Sequence, residues 1–184
     1  MSRQHRNYRR KEKTDYNKRL NLLKSGLPRL VVRVSLKNIT VQIVEYSPEG
    51  DKILSAVSTK HIADLGWKGS LTNLSAAYLL GMLIAKKTKV KKAVLDIGLK
   101  RSVTHSKIYS LVKGANDAGL EVPVDESMYP EEERIKGEHV VNYVKSLSKE
   151  NYEKIFSGYK KRNFKPEEMS THFNEIKSKI EGVN

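Results

Sequence analysis

The first 24 residues carry nine Lys or Arg (Arg3, Arg6, Arg9, Arg10, Lys11, Lys13, Lys18, Arg19 and Lys24) against only Glu12 and Asp15, a local net charge of +7. Like charges packed this densely repel one another unless a polyanion neutralises them. Residues 1–12 also lack apolar periodicity, which predicts an irregular stretch that orders only when bound. Tyr8 and Tyr16 lie among the cations as flat faces on which bases or riboses can stack. The segment therefore reads as a nucleic-acid-binding arm.

Basicity fades along the chain. Residues 25–124 hold 15 basic and 7 acidic side chains, and residues 125–184 hold 11 and 12, within a formal total of +14. The gradient predicts that the amino-terminal two-thirds faces a polyphosphate while the tail points elsewhere. No Cys is present, so disulfides and thiolate metal sites are excluded, in keeping with a reducing compartment. The longest apolar stretch, Ala76–Ala85, is too short to span a bilayer, and the amino terminus lacks the apolar segment of a signal peptide. The expectation is a cytoplasmic protein with no membrane partner.

A length of 184 residues admits one ordinary domain with appendages. Residues 1–27 form the basic arm and a short helix, in which Tyr16, Leu20 and Leu23 recur at helical spacing behind Thr14 or Asp15 as N-cap, with Gly26 as the stop. The arm as a whole, residues 1–24, is expected to become ordered along RNA. The β-branched runs Leu30–Val34 and Ile39–Tyr46 predict a hairpin with Lys37-Asn38 in its tight connection, and Ile53–Ser58 follows the turn Ser47-Pro48-Glu49-Gly50-Asp51 as a third strand. A loop containing Gly66 and Gly69 leads to a core helix over Leu74–Lys87. Then come a buried strand, Ala93–Ile97, and a helix over Ser106–Ala118. Strands first in a meander and then alternating with helices predict a mixed sheet covered on its faces, an α/β domain over residues 28–124. Residues 125–184 read as an acidic linker and a helical extension, with helical patterns at about 131–147, 149–158 and 166–181.

Little in the chain suggests catalysis. Asp96 stands at the carboxyl end of the predicted buried strand, where α/β folds place ligands, but a structural hydrogen bond to the Gly98 turn is the favoured reading. There is no Gly-rich phosphate loop, and the five His (5, 61, 105, 139 and 172) have no metal-ligand spacing, so neither a cofactor nor a metal is expected. The segment from Gly98 to Lys107 is more suggestive. It sets Lys100, Arg101 and Lys107 beside Ser102, Thr104 and Ser106 where a strand hands over to a helix N-terminus, with Thr104 or Ser106 as the N-cap. Lys86, Lys87, Lys89, Lys91 and Lys92 form a second basic cluster, at a helix C-terminus where cations are favoured in any case.

Several blocks, in this order, resemble one family. They are Lys13-Thr14-Asp15-Tyr16 to Arg19-Leu20, Arg29 to Arg33, Ala77 to Gly81, Ala93 to Leu99, Lys113 to Leu120, and Gly137-Glu138-His139. The family is ribosomal large-subunit protein eighteen in its archaeal and eukaryotic form, the 5S rRNA binders. The resemblance implies a three-layer α/β/α domain of the ribonuclease-H-like type used as a scaffold without nuclease activity. It also implies binding to 5S rRNA, attachment of that RNA to the large-subunit (23S) rRNA in the central protuberance, and a neighbouring ribosomal protein that also binds 5S rRNA. Carried over by position, the RNA-facing residues are Arg3, Arg6, Tyr8, Arg9, Arg10, Lys11, Lys13, Tyr16, Lys18 and Arg19 of the arm, Arg33 and Lys37 of the hairpin, and Lys100, Arg101, Thr104, His105, Ser106 and Lys107 of the loop. Two positions depart from the family pattern: His105 stands where Gly is common, and Lys107 where Arg is common. The competing readings are an RNA-binding module outside the ribosome and a ribonuclease-H-like enzyme. The second would need several clustered carboxylates at strand ends, whereas the basic core offers Asp96 almost alone.

Overall fold

Strand β1 (Arg29–Val34) is the centre of the architecture, with β2 (Ile39–Glu45) antiparallel on one side and β4 (Val94–Asp96) parallel on the other. Strand β3 (Lys52–Ser58) pairs antiparallel with β2, so the sheet order is β3-β2-β1-β4. The computed structural model describes residues 14–182. Arg3, Arg6, Tyr8, Arg9, Arg10, Lys11 and Lys13 lie outside the described residues. The hairpin register pairs Leu30 with Ile43, Val32 with Val41 and Val34 with Ile39, which puts the β-branched and Leu residues on one face. Between β2 and β3 the register slips, Ile43 opposing Ser55 and Val44 opposing Ile53, so Leu54 is the extra residue of a bulge.

The apolar face of the sheet is covered by α3 (Leu74–Lys87), capped by the Asn73 side chain, which accepts from the Ala76 N–H at 2.8 Å. Every residue from Ser75 to Ala85 is buried, because α3 is enclosed on more sides than the sheet alone could cover. Helix α4 (Lys107–Asp117) packs along it, and the last helix, α9 (Met169–Glu181), inserts Met169, Phe173, Ile176 and Ile180 into the same core. The tail helix thus carries an apolar stripe that its mixed charge conceals in the sequence. Short helices complete the chain: α1 (Tyr16–Leu23), α2 (Thr59–Asp64), α5 (Glu132–Lys136), α6 (Glu138–Lys145), α7 (Lys149–Ile155) and α8 (Ser157–Lys160).

Helices therefore lie on both sides of a four-stranded mixed sheet, as the sequence predicts, but the two layers are unequal. Among the described residues, the helix on the second face is α1, and none of its residues is fully buried. Its apolar stripe makes no core, since Tyr16 and Leu20 remain about half exposed. What holds α1 is polar: the Asp15 side chain accepts from the Lys18 N–H at 3.0 Å, and Arg19 grips both carboxylate oxygens of Asp51 at 3.0 and 2.9 Å. Residues 16–23 are thus helical, as their spacing predicts, and tied to the sheet side through Asp51.

Three further differences have local causes. The helical pattern at 131–147 breaks at Gly137, whose φ of +83° lies in the left-handed region. The pattern at 149–158 ends earlier, at Ile155, and α8 comes next. Helix α2 goes unpredicted because six residues are too few to show a period, although the Ser58 N–H donates to His61 Nδ1 at 3.2 Å in a reciprocal N-terminal cap. Among the described residues no helix is long and apolar enough to cross a membrane.

The contact between α3 and α4 depends on two glycines facing one another's helix. A Cβ on Gly81 would overlap the Leu111 carbonyl oxygen and stand 2.9 Å from the Ala115 nitrogen, while one on Gly114 would overlap the Tyr78 carbonyl. Both obstacles are backbone and cannot rotate away. Gly81→Ala and Gly114→Ala are each expected to lose at least about 2 kcal/mol, read from the midpoint of a denaturant titration. Gly158→Ala is the control: its Cβ would meet only Arg162 Nη2 at 3.6 Å, and its midpoint should stay unchanged or rise slightly.

Candidate nucleic-acid interface

Alternation along β1 sends Leu30 and Val32 into the core and Arg29, Val31 and Arg33 to the second face, where the register brings Asp96 of β4 beside Val31. Arg29, only 4% exposed, donates through Nη1 to Asp96 Oδ2 at 2.8 Å and through Nη2 to Asp51 Oδ2 at 2.6 Å. Asp96, 6% exposed, also accepts from Arg33 Nη2 at 3.1 Å and from the Gly98 N–H at 2.9 Å. Arg33 Nη1 reaches the Asp96 carbonyl at 2.8 Å. One carboxylate thus ties the two parallel strands together, fixes the turn after β4 and aims Arg33.

Burial raises the Asp96 carboxyl, but the Gly98 N–H, the Arg33 charge and the bonds from Arg29 and Arg33 outweigh it, and the group titrates below its ordinary value. A carboxylate held this way is a structural acceptor and a poor general base. Among the described residues no group of three or more His, Asp or Glu is placed to hold a metal.

The structure sorts the predicted contact residues into two sets. Lys18, Arg19 and Arg33 line a cleft between α1 and the polar face of the sheet, together with Arg29, Asp51 and Gly98. Lys18 Nζ donates to the Gly98 carbonyl at 3.3 Å, which ties the helix of the arm to the loop. Gly98 has a φ of +61°, and a Cβ there would stand 3.1 Å from Arg33 Cζ, so hairpin and loop meet at that residue. The second set is exposed: Lys37 in the β1–β2 turn, Lys100, Arg101, Thr104 and His105 in the loop, Lys107 at the first position of α4, and Tyr16 on α1. Because β1 and β4 are parallel, turn and loop leave the sheet at the same end.

His105 has a φ of +55°, in the left-handed region, and its N–H donates to the Met128 carbonyl at 2.9 Å. Ser106 occupies the N-cap of α4, but its side chain makes no capping bond and Oγ is buried without a partner, so neither Ser106 nor Thr104 caps as expected. The residues that sequence reasoning missed are Arg29 and Asp51. Arg29 opens the run Leu30–Val34, which is apolar apart from Arg33. Its role emerges only when residues 51 and 96 are brought to it.

Removing the Asp96 charge leaves Arg29 buried with only Asp51. Asp96→Asn is expected to lose about 3 kcal/mol at neutral pH. The sign with pH comes from the lowered titration: the stabilisation is complete above the unfolded carboxyl value of roughly 4 and is lost as pH falls through the folded one. The stability gap between wild type and variant should therefore be constant from pH 8 to 5 and close in more acidic solution. Denaturant titrations at several pH values measure it.

The family model described as ribosomal large subunit proteins 60S L5 and 50S L18 matches residues 2–92 and 86–125. A protein of Thermofilum pendens named large ribosomal subunit protein uL18 is 45% identical over 179 residues, covering 94% of this chain and 91% of the relative. One of the same name from Methanobrevibacter smithii is 44% identical over 176 residues, with the same coverage of each. With a basic turn and loop at one end of a mixed sheet, a carboxylate committed to arginines, and matches of this extent, the chain belongs to the ribosomal large-subunit protein L5 and L18 family.

Proposed function

We propose that this protein binds 5S rRNA and helps attach it to the 23S rRNA in the central protuberance, beside another ribosomal protein that binds 5S rRNA. Its family is one of structural components of the large ribosomal subunit, not of enzymes, and its place of work is the cytoplasmic ribosome. The observation that carries the RNA reading is the gathering of Lys37, Lys100, Arg101 and Lys107 in exposed positions at one end of the sheet, with no carboxylate in residues 35–38 or 97–107. The arm leads into α1, which is joined to that loop through Lys18 and Gly98. In this reading the loop and turn contact phosphates directly. Arg19 and Arg33, already engaged by Asp51 and Asp96, hold the elements that present those contacts.

Each phosphate neutralised contributes roughly −0.9 to the slope of log K against log salt on duplex nucleic acid, and about −0.7 on single strands. Deleting residues 1–13 is expected to flatten the slope for 5S rRNA by about 3–4 units, corresponding to four or five contacts. Replacing Lys100, Arg101 and Lys107 with Ala is expected to remove about 2–3 units. Replacing Lys154, Lys161 and Lys165 of the charge-balanced tail with Ala should leave it unchanged. These substitutions spare α9, whose buried face rules out truncating the tail as a clean test. A slope that responded more to the tail than to the arm or the loop would refute the assignment of the RNA-facing side.

A further inference from the structure

The basic end of the sheet also carries apolar side chains, for which phosphates have no use. Leu36, at the tip of the β1–β2 turn, is 98% exposed, and Leu99 and Val103 of the loop after β4 are 58% and 54% exposed. All three are interleaved with cations: Lys37 comes directly after Leu36, and Lys100, Arg101 and Lys107 share the loop with the other two. Single exposed apolar residues are ordinary on protein surfaces. Three at one end of the molecule, each within a basic segment, are a pattern.

The turn that presents Leu36 is built to hold it. The Ser35 N–H and Oγ both donate to the Asn38 carbonyl, at 2.9 and 2.8 Å, and the Asn38 N–H donates back to Ser35 Oγ at 3.0 Å. The backbone that carries Leu36 is thus held at the tip of a closed turn, and its side chain, 98% exposed, gains nothing for the free fold. Residues 35–38 and 97–107 contain no carboxylate, so the charge of these two segments favours an anionic partner. The complement of such a surface is a polyanion that also shows apolar faces. In a continuous duplex the base faces are stacked away. An unpaired base offers one.

We propose that Leu36 makes apolar contact with an unpaired nucleobase of the bound RNA while Lys37 holds a neighbouring phosphate. The inference rests on the RNA-binding reading above and adds to it the kind of nucleotide that the turn selects.

Binding of 5S rRNA by the full-length chain is measured at several salt concentrations for wild type, Leu36→Ala, Leu36→Phe and Lys37→Ala. Leu36→Ala should weaken binding about five- to tenfold at every salt concentration, with the slope unchanged, because apolar contact releases no counterion. Lys37→Ala should reduce the slope by about 0.7–0.9, and Leu36→Phe should bind at least as well as wild type. On a fully paired RNA duplex of similar length, Leu36→Ala should match wild type. The fully exposed position makes the variant's melting temperature a simple control for folding. Wild-type affinity of Leu36→Ala for 5S rRNA, or an equal loss on both RNAs, overturns the assignment of Leu36 while leaving the RNA-binding reading intact. Failure of wild type itself to bind 5S rRNA at low salt overturns that reading and this inference with it.

Discussion

The Arg29–Asp96 pair is the interaction on which the second face of this protein depends. The parallel ladder between β1 and β4 is only three residues long, and the pair lies across it on the side where, among the described residues, the short helix α1 lies. Taking two charges out of water is expensive, and an apolar pair of the same shape would often be as stable. What the ions supply instead is placement. The Asp96 carboxylate accepts from three groups, two arginines of β1 and the Gly98 N–H of the turn after β4, and Arg29 passes the link on to Asp51 and so to Arg19 of α1. On this face the turn at Gly98 and α1 are tied to the hairpin by one polar chain of contacts.

The two faces of the sheet therefore obey different physics. On one, Leu30, Val32, Ile39, Val41 and Ile43 meet a helix that is buried along most of its length, and two glycines let the next helix approach until backbone touches backbone. Here cohesion is apolar and dense. On the other, α1 buries no residue completely and is held by hydrogen bonds and ion pairs. Such contacts weaken in salt and exchange readily with other charged groups. A rigid scaffold on one side and an electrostatically attached helix on the other suit a protein whose charged side must meet a phosphate surface.

Much of this is legible in the sequence where a local rule applies. The β-branched runs announce the hairpin because alternation and a turn signal coincide there, and Leu74–Lys87 is legible to the residue because Asn73, an apolar interior and terminal lysines mark a helix at both ends and along its length. The structural role of Asp96 is signalled by the glycine two residues on, and Gly98 does donate to it. What escapes is non-local or conformational. The Arg29–Asp51 bond joins residues 22 positions apart through a register that no pattern announces. The burial of α9 is hidden by its charges, and the failure of Ser106 to cap depends on where one hydroxyl points. The left-handed backbone of His105 has no signal in the sequence either.

The enclosure of α3 has a consequence for how the chain is made. Its walls are the sheet, α4 and α9, and the last of these begins at Met169, after more than eighty further residues have been added beyond Lys87. At synthesis rates of roughly 5–20 residues per second, the side of α3 destined for α9 stays open for about 4–16 seconds on each nascent chain. During that interval Tyr78, the future neighbour of Phe173, faces the crowded surroundings of a translating ribosome. The length of that exposure is set by the speed of the ribosome and by nothing in the folded protein, so slow decoding between residues 88 and 168 would burden this chain with aggregation even though every contact of the finished structure were intact.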